Sequence, residues 1–139
     1  MANDRITPEL SRTTLPGTFP GDLGIELIKI DERRTVGRMA VDARHLHPGG
    51  YVHGGAWAAF ADTVAAWGTM HALEPGASFT TVELKTNVFA AGRPGDVLIA
   101  VGEPLHVGGR TQVWEVRIRR EADERLMANF VCTQIVLAG

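Results

Sequence analysis

His53-Gly54-Gly55-Ala56-Trp57-Ala58-Ala59-Phe60-Ala61-Asp62 is the stretch from which the rest of the chain can be read. A glycine pair opens it, a lone acid closes it, and apolar residues carry on to Leu73 before Pro75-Gly76 interrupts. The pattern predicts a helix from about Gly54 to Leu73. Plotted at about 100° per residue, Trp57, Phe60, Ala61, Val64, Trp67 and Gly68 fall on one side, and Gly55, Ala58, Ala59, Asp62, Ala66 and Thr69 on the other. A helix apolar nearly all round belongs in an interior. Its bulky side should meet a sheet, and its small side should admit another backbone or a ligand.

The start of such a helix presents unpaired backbone N–H groups at the positive end of its dipole, which suits a developing oxyanion. Asp62 adds a carboxylate two turns on. Its neighbours one turn away are Ala58, Ala59, Ala65 and Ala66, so no salt bridge along the helix explains it. The plain alternative is a surface acid. An unpaired acid in apolar surroundings is rare, however, and partial burial raises a carboxyl pKa, so Asp62 reads as a functional group. Gly54 and Asp62 lie roughly 12 Å apart along the axis, whereas a reacting carbonyl must be roughly 3 Å from each partner. One helix cannot serve one carbonyl with both. If both act, the amide comes from one subunit and the acid from another, most simply through antiparallel helices about a two-fold axis.

Working outward, Ile25–Ile30 and Thr35–Val41 read as a hairpin joined by Asp31-Glu32-Arg33-Arg34, and Phe79–Phe89, Asp96–Leu105, Thr111–Glu121 and Leu126–Leu137 as four further strands with short connectors. Trp114, Val116 and Ile118 alternate with Glu115, Arg117 and Arg119, as in an antiparallel sheet with one solvated face. The expected fold is α+β, a curved antiparallel sheet wrapped around one long central helix. Residues 1–21, with Pro8, Pro16 and Pro20, read as a loose N-terminal arm containing a short helix around Pro8 to Arg12, and residues 22–139 as a single domain. At 139 residues and 45 % hydrophobic, the chain suits one cored domain. A net charge of −2 leaves no basic footprint for nucleic acid, and neither a secretory h-region nor a membrane-spanning run is evident. The lone Cys132 sits in an apolar run, which excludes a disulfide framework and points to a cytoplasmic setting.

Other candidates surround the helix start. His45, His47 and His53 invite a metal reading, but two spaced histidines without a firm third ligand fall short of the usual set, so no metal or cofactor is expected. Hydrogen-bonding roles are preferred: His53 orienting the Gly54 turn, His47 positioning water or a carbonyl. Thr80 and Thr81, on the strand after the helix, are candidates to hold water for Asp62. Arg93 and Arg110 read as solvated loop residues, His71 and His106 as structural, and Trp57, Phe60 and Trp67 as core.

The run His47-Pro48-Gly49-Gly50-Tyr51-Val52-His53-Gly54-Gly55-Ala56, followed by Phe60-Ala61-Asp62-Thr63 and later by Thr81-Val82-Glu83-Leu84, resembles the hotdog-fold thioesterases, in particular the phenylacetic-acid-degradation type and its 4-hydroxybenzoyl-CoA relatives. The likeness extends from about Gly24 to Leu137. It implies an acyl-CoA thioester hydrolase, active as a homodimer or a homotetramer of two such dimers, with sites at the subunit interface. By the same resemblance, the Gly54 amide donates to the thioester oxygen, Asp62 of the other subunit is nucleophile or general base, and Thr81 orients the attacking water. His47 stands where relatives carry Asn or Gln, and Ala66 where some carry a threonine. Gly55, His53 and Thr80 complete the expected substrate contacts. The rival expectation is a non-catalytic acyl-CoA-binding or regulatory protein of the same fold. A hydratase of the same fold is a further option, but no separate Asp/His pair on one long helix supports it.

Overall fold

A computed structural model describes residues 5–138. Helices α1 (Pro8–Thr14) and α2 (Phe19–Asp22) precede strands β1 (Glu26–Ile30) and β2 (Thr35–Ala40). A 3-10 turn, Ala43–His45, and a loop lead to α3 (Gly54–Ala72), followed by β3 (Ser78–Val88), β4 (Val97–Val107), β5 (Thr111–Arg120) and β6 (Leu126–Leu137). The β1–β2 turn is held by Asp31, whose Oδ1 accepts from the Arg33 and Arg34 amides at 2.7 and 3.0 Å. These bonds hold its carboxyl below the usual aspartate range.

The six strands form one antiparallel sheet in the order β1-β2-β4-β5-β6-β3, curved around α3. After α3 the chain crosses to the far edge and returns through β4, β5 and β6. Strand β3 is therefore an edge strand whose one neighbour is β6. Trp57, Phe60, Ala61, Val64, Trp67 and Gly68, the bulky side expected from periodicity, are all buried against Met39, Leu98, Trp114, Val116, Ile118 and Phe130 of the sheet. No helix among the described residues is long and apolar enough to cross a membrane.

Glycines on both surfaces let helix and sheet approach. A methyl on Gly37 of β2 would stand 2.5 Å from Val64 Cγ2, and one on Gly68 would stand 2.5 Å from the Trp114 ring. The small side of α3 is narrower than its helical plot, because Thr69 is buried and donates its hydroxyl back to the Ala65 carbonyl at 3.1 Å.

The arm contains the short helix expected near Pro8 to Arg12, but it is packed rather than loose. Helix α1 starts at a Thr7 cap with proline in its first turn, lies against β1, and buries Ser11. Ile6, just before the cap, joins the core. The first four residues of the arm lie outside the described residues.

Gly37→Ala should cost about 1–3 kcal/mol by overpacking. In a Val64→Ala background most of that penalty should vanish, because the methyl it meets is gone. Urea unfolding of the two single variants and the double variant measures this coupling.

Candidate active site

The loop before α3 is built from its own backbone. His47 accepts the Gly50 amide and donates its own to Tyr51, Val52 donates to the Gly92 carbonyl, and His53 donates to the carbonyl of His45 at 2.8 Å. His53 then caps the helix: its backbone is extended at φ −63°, ψ 140°, and its Nδ1 accepts the Gly55 N–H at 2.7 Å. The Gly55 amide is thereby occupied. The neighbouring Gly54 amide has no hydrogen-bond partner among the described residues, and a methyl on Gly54 would meet nothing within 4 Å. One orphan donor thus stands, on an exposed residue, at the positive end of a helix of 19 residues.

The histidines separate by role. His45 is buried, its Nδ1 accepting the Asp42 amide and its Nε2 within 2.7 Å of the Leu23 carbonyl, so both ring nitrogens are engaged. His47 is on the loop, with Nδ1 accepting the Gly49 amide at 2.9 Å. In the neutral ring this places the proton on Nε2, which becomes a donor. Tyr51 packs edge-on to the His47 ring and carries the Arg93 guanidinium 5.3 Å above its own. Among the described residues no three His, Cys, Asp or Glu side chains gather as a metal site.

Two turns along α3, Asp62 is half-buried. Thr81 Oγ1 lies 2.9 Å from Asp62 Oδ1 and 2.7 Å from Gln134 Oε1, and Gln134 Nε2 lies 3.6 Å from Cys132 Sγ. Desolvation dominates the carboxyl and raises its pKa above the ordinary aspartate value, against the smaller downward pull of the Thr81 hydroxyl. Burial, with the Asp62 charge second, pushes the Cys132 thiol up to about 12. The thiol therefore stays protonated at neutral pH.

Register explains which threonine reaches the acid. Thr81 lies directly opposite Gln134 on β6, and Val82 is then bulged out so that Glu83 pairs with Thr133. Residues opposite one another share a face, so Thr81 points inward with Gln134. Thr80 pairs with Ile135, is exposed, and faces away from Asp62 within its protomer. The loop residues His47, His53, Gly54 and Gly55 thus gather at one end of α3, and Asp62 and Thr81 form a second group about two turns away. Gln134 and Cys132 escaped the sequence reading. Their signal was parity, because Phe130, Cys132 and Gln134 alternate along one strand, and a glutamine at a core position requires a partner.

Further along α3, an apolar pocket of about 730 Å³ is bounded by Ile6, Leu10, Trp67, Met70, Leu73 and Phe79, among others. Phe79 precedes Thr81 by two residues on the same face of β3, so the pocket opens beyond the Asp62–Thr81 pair.

A curved antiparallel sheet around a single helix, with an open helix-start amide and a half-buried acid, is the make-up of a hotdog enzyme. Residues 49–127 match the family model described as the thioesterase superfamily, and the chain belongs to that superfamily. It is 32 % identical over 111 residues to a 1,4-dihydroxy-2-naphthoyl-CoA hydrolase of Listeria monocytogenes, covering 80 % of this chain and 89 % of that one. Its structure is similar to that of thioesterase HI1161 of Haemophilus influenzae, with a TM-score of 0.90 and 27 % identity over 98 % of this chain and 94 % of the other. The PaaI protein of the E. coli phenylacetic acid degradation operon shares the fold at a TM-score of 0.82 and 24 % identity, over 94 % and 91 % of the two chains. The chain is thus a thioester-hydrolysing enzyme, of the class its motif resembles.

A carboxyl whose pKa rises on folding opposes folding once the pH exceeds its ordinary value, because the unfolded chain then binds fewer protons. Asp62→Asn should therefore raise the Tm at pH 7. The gain should fade as the pH falls through the ordinary aspartate value of 3.8, below which both states are protonated. Thermal melts across pH check the sign.

Proposed function

We propose that this enzyme hydrolyses acyl-CoA thioesters at sites shared between two protomers. The observation that carries the reading is the pairing, on one helix, of an open Gly54 amide with a half-buried Asp62 too distant to meet one carbonyl in the same protomer. The CoA ester as substrate is supported by the 1,4-dihydroxy-2-naphthoyl-CoA hydrolase relative. The pairing of subunits is supported by β3, an edge strand exposing Val82, Leu84 and Val88 beside the open side of α3.

In this reading the thioester oxygen accepts the Gly54 N–H, and the helix start stabilises the oxyanion as the carbonyl carbon becomes tetrahedral. Asp62 of the other protomer takes a proton from the attacking water, which Thr81 helps to orient, and returns it to the sulfur as the C–S bond breaks, so that coenzyme A leaves as the thiol and Asp62 is again a carboxylate. The raised pKa of Asp62 makes its carboxylate a stronger base toward that water than an ordinary aspartate. His47 does with its Nε2–H what an amide N–H does in relatives bearing Asn or Gln: it donates to the carbonyl or to water. His53 fixes the turn through Gly55. The apolar pocket beyond Asp62 takes the acyl group, with Ala66, small where some relatives have threonine, leaving the way open.

The shared site has a distinctive test. Gly54→Pro deletes the N–H alone, since proline is accepted at the first helical position and the extended His53 backbone suits a residue before proline. Loss of that donor should lower kcat about 10²–10³-fold, and Gly54→Ala, which keeps the N–H, separates this from steric effects. Asp62→Asn should remove thiol release by about 10²–10⁴-fold. Refolding the two inactive variants together should restore about one quarter of wild-type activity, since half of the dimers are mixed and each of these carries one intact site. No recovery in a mixture shown by mass to contain mixed dimers would place both groups in one protomer and overturn the reading.

The acyl assignment predicts that Met70→Trp, at the rim of the pocket, raises KM for aromatic or long-chain acyl-CoA by about 10-fold or more, with acetyl-CoA nearly unaffected. A substrate panel with thiol detection measures it.

A further inference from the structure

Thr81 carries one hydroxyl proton yet stands between two oxygens, Asp62 Oδ1 at 2.9 Å and Gln134 Oε1 at 2.7 Å. It can donate to only one of them. With the Gln134 oxygen turned toward it, every group is bonded only when Asp62 is itself protonated: Asp62 O–H donates to Thr81, Thr81 to Gln134 Oε1, and Gln134 Nε2–H to Cys132 Sγ at 3.6 Å. When Asp62 is ionised, the same atoms are satisfied in the opposite sense. Cys132 S–H donates to Gln134 Oε1, Gln134 Nε2–H to Thr81 Oγ1, and Thr81 O–H to the carboxylate. The only movement needed is a half-turn of the Gln134 amide about its last side-chain bond.

The surroundings leave this chain as the main response to the charge on Asp62. Its neighbours on α3 are alanines, and β3 brings Thr81. Glu83, past the bulge, is engaged with the Thr133 hydroxyl at 2.9 Å. Strand β6 brings Cys132 and Gln134, and on β5 the Gln112 oxygen is taken by the Trp114 indole N–H at 2.9 Å. Among the described residues Asp62 forms no salt bridge. Gln134 and Cys132 are fully buried, so no bulk water can replace a missing bond.

We propose that Gln134 is a positioning residue that acts on Asp62 through Thr81, turning its amide end for end so that the carboxylate and the carboxylic acid of each turnover are both fully hydrogen-bonded. The inference rests on the general-base reading of Asp62. No proton crosses the chain. The one that Asp62 takes from water leaves with coenzyme A, and the other donors keep theirs and change direction.

Two variants should move Asp62 in opposite directions. Gln134→Met removes the oxygen to which Thr81 donates while it accepts the Asp62 O–H, leaving Thr81 only the weaker bond to the oxygen of a neutral carboxyl, which disfavours the acid form. The acid limb of the kcat/KM–pH profile should move down by about half a unit, with kcat reduced and KM unchanged. Gln134→Glu adds a second carboxyl behind Thr81 and should move that limb up by about one unit or more. Carboxyl carbon NMR of aspartate-labelled free enzyme should give Asp62 midpoints displaced the same way. In wild-type protein, which needs no variant to fold, the Gln134 side-chain N–H signals should titrate with the Asp62 midpoint. Variants that leave the midpoint in place or move it in one common direction overturn the proposal, as do Gln134 signals that stay fixed through the titration. Asp62→Asn tests the underlying reading separately: full activity there removes the general base, whereas the coupled titration of Asp62 and Gln134 is read on the free enzyme without turnover.

Discussion

Removing one carboxylate from water without a cation to meet it is the constraint around which this molecule is arranged. Helix α3 can tolerate Asp62 only on the side the sheet leaves uncovered, since every other side is pressed into the core by Trp57, Phe60, Val64 and Trp67. The closeness of that embrace depends on glycines at Gly37 and Gly68, which let backbone and aromatic ring come within contact. The acid is consequently held half in and half out of solvent, and its raised proton affinity follows from its position. A surface helix would have given an ordinary aspartate, and full enclosure a permanently neutral one.

The same enclosure separates the two chemical ends of α3. The open amide belongs to the loop-capped start, organised by His53, while the acid is reached from β3 and β6 two turns on. A rigid helix cannot bend to bring them together, so the proposed chemistry draws them from two copies of the chain. The exposed apolar residues of β3 run along the edge that such a pairing would cover.

Much of this was legible in the chain itself. Helical periodicity, the Pro75-Gly76 stop and strand-length apolar runs between turn residues determine one long helix and an antiparallel sheet, because burial on one side writes itself into spacing. Asp62 stood out for want of a partner at helical distance. What could not be read was anything decided by register. Thr80 and Thr81 are adjacent and chemically alike, and only strand pairing shows that one faces the acid and the other solvent. The histidines are also a matter of tertiary placement: His45 is consumed by two backbone contacts that no spacing rule foretells. Gln134 lay in plain view on the inward parity of β6, but its meaning depended on knowing what sat across from it.

The extra residue at Val82 changes what β3 can be. Thr81 faces inward on one side of it, and beyond it Leu84, Thr86 and Val88 are the residues aligned with the buried positions Cys132, Phe130 and Ala128. An uninterrupted strand would force odd-numbered or even-numbered residues inward throughout. The irregularity uncouples the strand's two halves, so the segment beside the acid and the segment along the rim can diverge in sequence independently, each answering to its own neighbours.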